Sequence, residues 1–101
     1  MRVEVLYVPG CPNYIPAVER LQSVLESQSL QAEIRSVPIK SEDQAKDLLF
    51  PGSPTIRIDG ADVEQPETVA PSLACRLYGN CSGIPSEESL RIAISSAKRR
   101  E

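Results

Sequence analysis

Residues 2–14 read Arg2-Val3-Glu4-Val5-Leu6-Tyr7-Val8-Pro9-Gly10-Cys11-Pro12-Asn13-Tyr14, and this stretch decides the fold. Its first part is rich in β-branched and aromatic side chains, which favour a strand. Pro9-Gly10 then ends the strand, because proline and glycine together favour a turn. The stretch therefore predicts a central strand followed by a turn that carries Cys11.

A helix is predicted directly after this turn, from about Tyr14 to Ser27. The apolar residues there recur at helical steps of three and four, at Ile15, Val18, Leu21 and Leu25. Because Pro16 is tolerated only in the first turn of a helix, the helix must begin near Asn13 to Ile15. The thiol of Cys11 is thus expected at the N-terminal end of the first helix.

The next two elements are a strand and a short helix. Residues 32–39 alternate between two faces, and Pro38 favours an edge position because proline cannot donate to a sheet ladder. Ser41-Glu42-Asp43-Gln44 has the residue types of a capping box. A helix is therefore predicted to begin there and to continue through Leu49.

The second half of the chain predicts a hairpin and a final helix. Residues 55–58 alternate as a strand, Asp59-Gly60 is a hairpin turn signal, and residues 61–64 pair back. The stretch after this hairpin is the least patterned, with a short helix predicted from Pro71 to Tyr78. The last helix is predicted to begin at Pro85-Ser86.

Together these elements predict one α/β domain over residues 1–101, in the order β-α-β-α-β-β-α. The first two strands flank a helix, so they should be parallel with a right-handed crossover. The last two strands form an antiparallel hairpin. The expected architecture is a central mixed four-stranded sheet with helices on both faces.

The charge balance limits the classes of partner. The chain has 11 basic and 14 acidic residues, and this mildly acidic balance argues against a nucleic-acid partner, which needs a basic surface. No apolar segment is long enough for a membrane span, so no membrane partner is expected. The apolar run from Val3 to Val8 is too short for a signal peptide, which makes the cytoplasm the expected location.

Three cysteines and the absence of histidine restrict the chemistry. Without histidine, the usual general base and the commonest metal ligand are missing, and no cofactor is expected. A thiol at a helix N-terminus ionises more readily, because unpaired amides and the helix dipole favour an anion there. Cys11 is therefore the candidate nucleophile, and its alternative is a small buried apolar side chain.

Two motifs and the order of elements resemble the thioredoxin-like superfamily. Cys11-Pro12-Asn13-Tyr14 stands at the strand-to-helix turn where thioredoxins carry Cys-x-x-Cys, and Ser53-Pro54-Thr55 matches the position of their cis-proline. The chain is also similar to small bacterial thioredoxin-like proteins encoded near mercury-resistance functions and organomercurial lyases. It departs from the pattern at Tyr14, which replaces the second cysteine, so the resolving step cannot be assigned to this motif.

The resemblance implies a groove beside the thiol of Cys11. A cis Ser53-Pro54 bond would lie opposite the thiol, and its carbonyl could hold an extended partner chain by strand-like hydrogen bonds. Pro12 and Thr55 complete the expected substrate groove. Tyr14 is a candidate catalytic residue whose hydroxyl would bond to the thiolate, or else its ring packs against the sheet.

Cys75 and Cys81 have several open interpretations. They could pair with each other, or one could resolve a mixed disulfide on Cys11. The favoured interpretation of Cys75 is core packing on a short helix beside Leu73, Leu77 and Tyr78, whereas Cys81 is expected to be more exposed. The three cysteines together could also hold a soft metal ion such as mercury or copper(I).

Three functions remain open at this point. The first is a thiol–disulfide redox protein that uses Cys11 on a protein or low-molecular-weight disulfide. The second is a non-enzymatic module of the same fold, which binds a partner peptide or a soft metal. The third is a domain that has kept the fold and lost the chemistry.

Overall fold

The structure, a computed structural model, describes residues 1–65 and 70–100, with only the backbone for Arg100. Its elements, in chain order, are β1 Arg2–Tyr7, α1 Tyr14–Ser27, β2 Glu33–Pro38, α2 Glu42–Asp47, β3 Thr55–Ile58, β4 Ala61–Asp62 and α3 Glu87–Arg100. This is the predicted order of strands and helices. None of the helices within these ranges is long and apolar enough to cross a lipid bilayer.

The four strands form one mixed sheet in the order β2-β1-β3-β4. β1 pairs in parallel with β2 and antiparallel with β3, and β4 returns antiparallel to β3. The prediction of a mixed α/β sheet is thus confirmed. β2 lies at the edge, so Pro38 at its end removes no hydrogen bond from an inner ladder.

The sheet buries apolar residues on both faces, because alternate residues of a strand point to opposite sides. One layer packs side chains of β1 and β3 against α1 and α3, and includes Val3, Val5, Leu21, Ile56, Ile58, Leu90 and Ile94. A smaller layer on the other face joins Leu6 to Ile39, Ala45 and Phe50. Each such large side chain contributes about 1.5–3 kcal/mol when fully buried.

The start of α2 is capped as its sequence predicts. The Oγ of Ser41 accepts a hydrogen bond from the backbone N–H of Gln44 at 3.1 Å. The side chain of Gln44 returns to the chain, since its Oε1 accepts from the backbone N–H of Lys40 at 2.9 Å. Two N–H groups at the start of α2 are satisfied in this way.

The end of α2 is closed by a Schellman motif with a leucine in the left-handed position. The N–H of Phe50 donates to the carbonyl of Ala45 at 2.9 Å, and that of Leu49 donates to the carbonyl of Lys46 at 3.2 Å. Leu49 therefore adopts a φ of 51°, a conformation that usually requires glycine, while its side chain is 61% exposed.

The prediction of a short helix from Pro71 to Tyr78 is wrong. These residues are extended or bent, and Cys75 forms an isolated parallel bridge with Ser53. Leu73 and Leu77, the expected neighbours of Cys75 on that helix, are exposed rather than packed on a core. The segment lies beside the start of β3 because its backbone hydrogen bonds are made to residues 50–53.

We expect Leu49→Gly to stabilise the protein by about 1 kcal/mol. Glycine relieves about 1–2 kcal/mol of left-handed strain and costs about 0.5–1 kcal/mol of extra unfolded-state entropy. Urea unfolding followed by circular dichroism measures the change. Leu49→Ala is the matched control, since it removes the same side chain and keeps the strain. Equal stabilities of the two variants would contradict the strain at Leu49.

Candidate functional site

Cys11 lies half-buried in the turn that joins β1 to α1. Its N–H donates to the carbonyl of Val8 at 3.0 Å, and its carbonyl accepts from the N–H of Tyr14 at 3.3 Å. α1 begins at Tyr14, within the range that the sequence predicts, and Asn13 is its N-cap residue. The thiol is therefore carried just ahead of a helix N-terminus, where a negative charge is favoured.

Ser53 and Pro54 lie buried beside the end of β1. The peptide bond between them is cis, as the resemblance implies. The Oγ of Ser53 accepts a hydrogen bond from the N–H of Val8 at 2.9 Å. The backbone of Val8 thus joins the Cys11 turn to Ser53, since its carbonyl accepts from Cys11 and its N–H donates to Ser53.

The backbone of Ser53 is bonded to the chain's own residues 72–78, which we call the strap. The N–H of Ser53 donates to the carbonyl of Ala74 at 3.0 Å, and its carbonyl accepts from the N–H of Arg76 at 2.9 Å. The carbonyl of Pro54 accepts from the hydroxyl of Tyr78 at 2.6 Å. The groups that were expected to hold an extended partner are therefore occupied from within the molecule.

The other two expected groove residues differ in exposure. Pro12 is exposed at the turn beside Cys11. Thr55 is fully buried, and its hydroxyl donates to the carbonyl of Gly52 at 2.7 Å. Thr55 therefore supports the loop before β3, whereas Pro12 faces solvent.

Arg76 anchors the strap through a buried guanidinium. Its two terminal nitrogens bond to the carboxylate of Asp62 at 2.8 and 3.0 Å, and the two side chains are only 6% and 9% exposed. The guanidinium also donates to the Thr55 hydroxyl at 3.2 Å and to the carbonyl of Glu64. A charge-assisted pair of this bidentate form is both strong and directional.

Tyr78 forms the second anchor. The guanidinium of Arg76 lies 4.2 Å from the centroid of its ring, which is a cation–π geometry. Burial raises the pKa of Tyr78 well above its ordinary value, and the nearby positive charge of Arg76 offsets part of that rise. The hydroxyl therefore stays protonated and donates to Pro54 under neutral conditions.

Gly52 allows the strap to approach the loop before β3. A Cβ at this position would lie 3.0 Å from the Cβ of Arg76 and 3.1 Å from the carbonyl oxygen of Ala74. Its φ of 144° is also one that other residues rarely adopt. Both the close contact and the backbone conformation thus require glycine here.

Tyr14 is engaged with the sheet. Its ring stacks on Tyr7 with centroids 3.8 Å apart and planes 12° from parallel. Its hydroxyl lies 2.6 Å from the Oγ of Ser36 on β2. Of the two roles that the sequence left open, this geometry corresponds to packing against the sheet, with the hydroxyl bonded to Ser36 instead of Cys11.

Cys75 and Cys81 are both exposed and, like Cys11, are free thiols. The favoured interpretation of Cys75 as a core residue on a helix is therefore wrong. Cys81 is exposed as predicted, and it adopts a φ of 63° in the turn that closes with a 2.9 Å bond from its N–H to the carbonyl of Tyr78.

Gly83, in the loop between the strap and α3, lies beside the start of α1. Gly83 lies so close to Asn13 that a side chain at Gly83 would collide with the asparagine amide. Cys81 thus belongs to a loop that passes near the Cys11 turn. Within the described parts of the chain, however, no three cysteine, histidine or carboxylate side chains are grouped so that they could hold a metal ion.

Sequence reasoning missed the buried anchor made by Arg76, Asp62 and Tyr78. The only hint in the sequence is a charged residue between apolar neighbours, Leu73 to Tyr78. Its partner Asp62 belongs to the hairpin, and nothing in the spacing of the two residues indicates a contact.

Comparison with protein families, with curated proteins and with solved structures found no match to this chain.

We expect Tyr78→Phe to destabilise the protein by about 1–3 kcal/mol at neutral pH, because the buried Pro54 carbonyl loses its donor. The wild type should also lose stability as the pH rises above about 10, where an unfolded tyrosine ionises but the folded Tyr78 does not. This alkaline loss should be smaller in Tyr78→Phe. Urea unfolding from about pH 8 to about pH 11 measures both effects.

Tyr7→Phe is the matched control for this experiment. It removes a tyrosine hydroxyl but leaves the bond from Tyr78 to Pro54 in place, so the alkaline loss that Tyr78 causes should remain. An equal alkaline loss in Tyr78→Phe and the wild type would contradict the buried, protonated state of Tyr78.

Proposed function

We propose that this protein is a thioredoxin-like thiol–disulfide exchange protein whose reactive group is the thiol of Cys11. One observation carries the proposal: Cys11 lies partly exposed between β1 and α1, with its backbone linked through Val8 to buried Ser53. The thiol can therefore meet a solvent-borne disulfide while the turn that holds it is fixed. The mixed four-stranded sheet and its helices support the fold assignment.

The proposed step is nucleophilic attack on a disulfide. The thiolate of Cys11 attacks one sulfur of the substrate, a bond forms between them, and the second substrate sulfur leaves as a thiolate. The N-terminus of α1 favours the attacking anion, since its amides and dipole present positive charge. The product is a mixed disulfide on Cys11 and one released substrate thiol.

The substrate class is a protein disulfide or a low-molecular-weight disulfide. We place the reaction in the cytoplasm, where small thiols such as glutathione keep free cysteines reduced. A second thiol must release the mixed disulfide, because the fourth residue of the motif is Tyr14. That thiol comes either from solution or from elsewhere in the chain.

A non-enzymatic binding module for a peptide or a soft metal is the second candidate. It is favoured by Tyr14, which stands in place of a resolving cysteine and is bonded to Ser36. It is disfavoured by the strap, which occupies the backbone of Ser53 where an extended peptide would pair. We therefore rank thiol exchange first.

We expect Cys11 to be the fastest thiol to react in the folded protein. The test is alkylation of the reduced protein with iodoacetamide at about pH 7, with the rate at each cysteine read by mass spectrometry and compared with that in urea. Cys11 should react at least several-fold faster when folded than when unfolded. Cys81, which is exposed but does not lie directly ahead of a helix, serves as the internal control.

The reactivity of Cys11 can also be measured with a disulfide reagent. An aromatic disulfide such as dithionitrobenzoate should release its chromophore in a fast phase that Cys11→Ser removes and Cys81→Ser retains. The proposal fails if Cys11 reacts no faster in the folded protein than in urea, or if the fast phase survives in Cys11→Ser.

A further inference from the structure

We propose that Cys75 is the resolving thiol of this site and that it closes a disulfide with Cys11. The inference rests on the proposed function, because the mixed disulfide on Cys11 must form first. It assigns the second thiol to the strap, in place of the helix position that Tyr14 occupies. The step is therefore intramolecular and involves residues that are remote in the sequence.

Cys75 has a fixed position in the strap, beside Ser53. Cys75 is the bridge partner of Ser53, and the hydrogen bonds on either side of it, from Ser53 to Ala74 and from Arg76 to Ser53, fix its register. Neighbouring strands lie about 5 Å apart, so the backbone of Cys75 lies beside that of Ser53. The exposed thiol is accessible to a second sulfur.

The bridge to Ser53 also sets the face on which the Cys75 side chain lies. Side chains of partnered residues in adjacent strands lie on the same face. The side chain of Ser53 points at Val8, whose N–H it accepts at 2.9 Å. The Cys75 side chain thus lies on the same face of this bridge as the Ser53 side chain, which contacts the end of β1, where the carbonyl of Val8 accepts from Cys11.

The strap is anchored next to Cys75 and not next to Cys81. Arg76 follows Cys75 directly and is held by the buried ion pair with Asp62. Cys81 lies beyond Tyr78, in the turn that its own N–H closes. Of the two candidate thiols, only Cys75 belongs to the segment that is bonded to Ser53.

The chemistry balances without a further oxidant. The thiolate of Cys75 attacks the Sγ of Cys11 in the mixed disulfide, the Cys11–Cys75 bond forms, and the second substrate sulfur leaves as a thiolate. Two protein thiols and one substrate disulfide are thereby converted into one protein disulfide and two substrate thiols. A low-molecular-weight thiol such as glutathione reduces the protein again.

Trypsin separates the three cysteines, which makes the test direct. Cleavage after Arg2, Arg20, Arg57, Arg76 and Arg91 places Cys11 in residues 3–20, Cys75 in residues 58–76 and Cys81 in residues 77–91. The reduced protein is treated with oxidised glutathione, quenched with an alkylating agent and digested without reduction. We expect peptide 3–20 linked to peptide 58–76 as the main product.

Single-cysteine variants give the controls. Cys75→Ser should accumulate glutathione on Cys11, and Cys81→Ser should form the same linked peptides as the wild type. A link between peptides 3–20 and 77–91, or a wild-type glutathione adduct on Cys11 that does not convert, would overturn the assignment of Cys75. A Cys11 that takes up no glutathione at all would instead overturn the proposed function.

Gly52→Ala tests whether the strap positions Cys75. The added Cβ meets Arg76 and Ala74, so we expect the conversion of adduct to disulfide to slow several-fold while the adduct forms at the wild-type rate. Gly60→Ala is the matched control, because Gly60 also has a positive φ, of 87°, but its Cβ would meet only Arg2, at 3.9 Å. Wild-type closure in Gly52→Ala would overturn the positioning role of the strap.

Discussion

Every polar group of Ser53 has a partner inside the molecule. Its N–H and carbonyl are bonded to the strap, and its hydroxyl accepts from Val8. Because a buried polar group without a partner costs about 1–3 kcal/mol, the strap satisfies a residue that would otherwise need water or a bound chain. The end of β1, the start of β3 and the strap therefore meet at this one residue, and the position of Cys11 relative to the strap depends on it.

The strap has almost no regular structure of its own, so its position depends on side chains. The guanidinium of Arg76 would be costly to bury alone, but Asp62, the Thr55 hydroxyl and the Glu64 carbonyl all accept from it, and the Tyr78 ring covers it. Breaking a buried pair of this kind usually costs about 3–5 kcal/mol, because it leaves an uncompensated charge. The anchor thus fixes the position of Arg76, the residue that directly follows Cys75.

Local signals in the sequence predicted the elements, and remote contacts explain what the sequence could not predict. The limits of α1 follow from Pro16 and the apolar spacing, and the start of α2 follows from Ser41, because each depends on neighbouring residues. The sequence predicts a short helix from Pro71 to Tyr78, yet the backbone of the strap pairs with residues 50–53. That pairing, and with it the exposure of Cys75, depends on Gly52, Arg76 and Asp62, whose contacts leave no periodic trace in the chain.

Because Tyr14 stands in place of the second motif cysteine, the position of a second thiol is not set by α1. Two cysteines on one helix turn are held at a fixed spacing by local hydrogen bonds, whereas the position of Cys75 is set by tertiary contacts of the strap with Ser53. The first attack depends on the Cys11 turn and α1, and the second depends on Ser53, Gly52 and the Arg76 anchor. Loosening the strap should thus separate attack by Cys11 from resolution by Cys75. It would free the Ser53 backbone for a partner chain, and it would move away the Cys75 thiol that releases that chain from Cys11. A bound partner chain and the strap are then competing occupants of the Ser53 backbone groups.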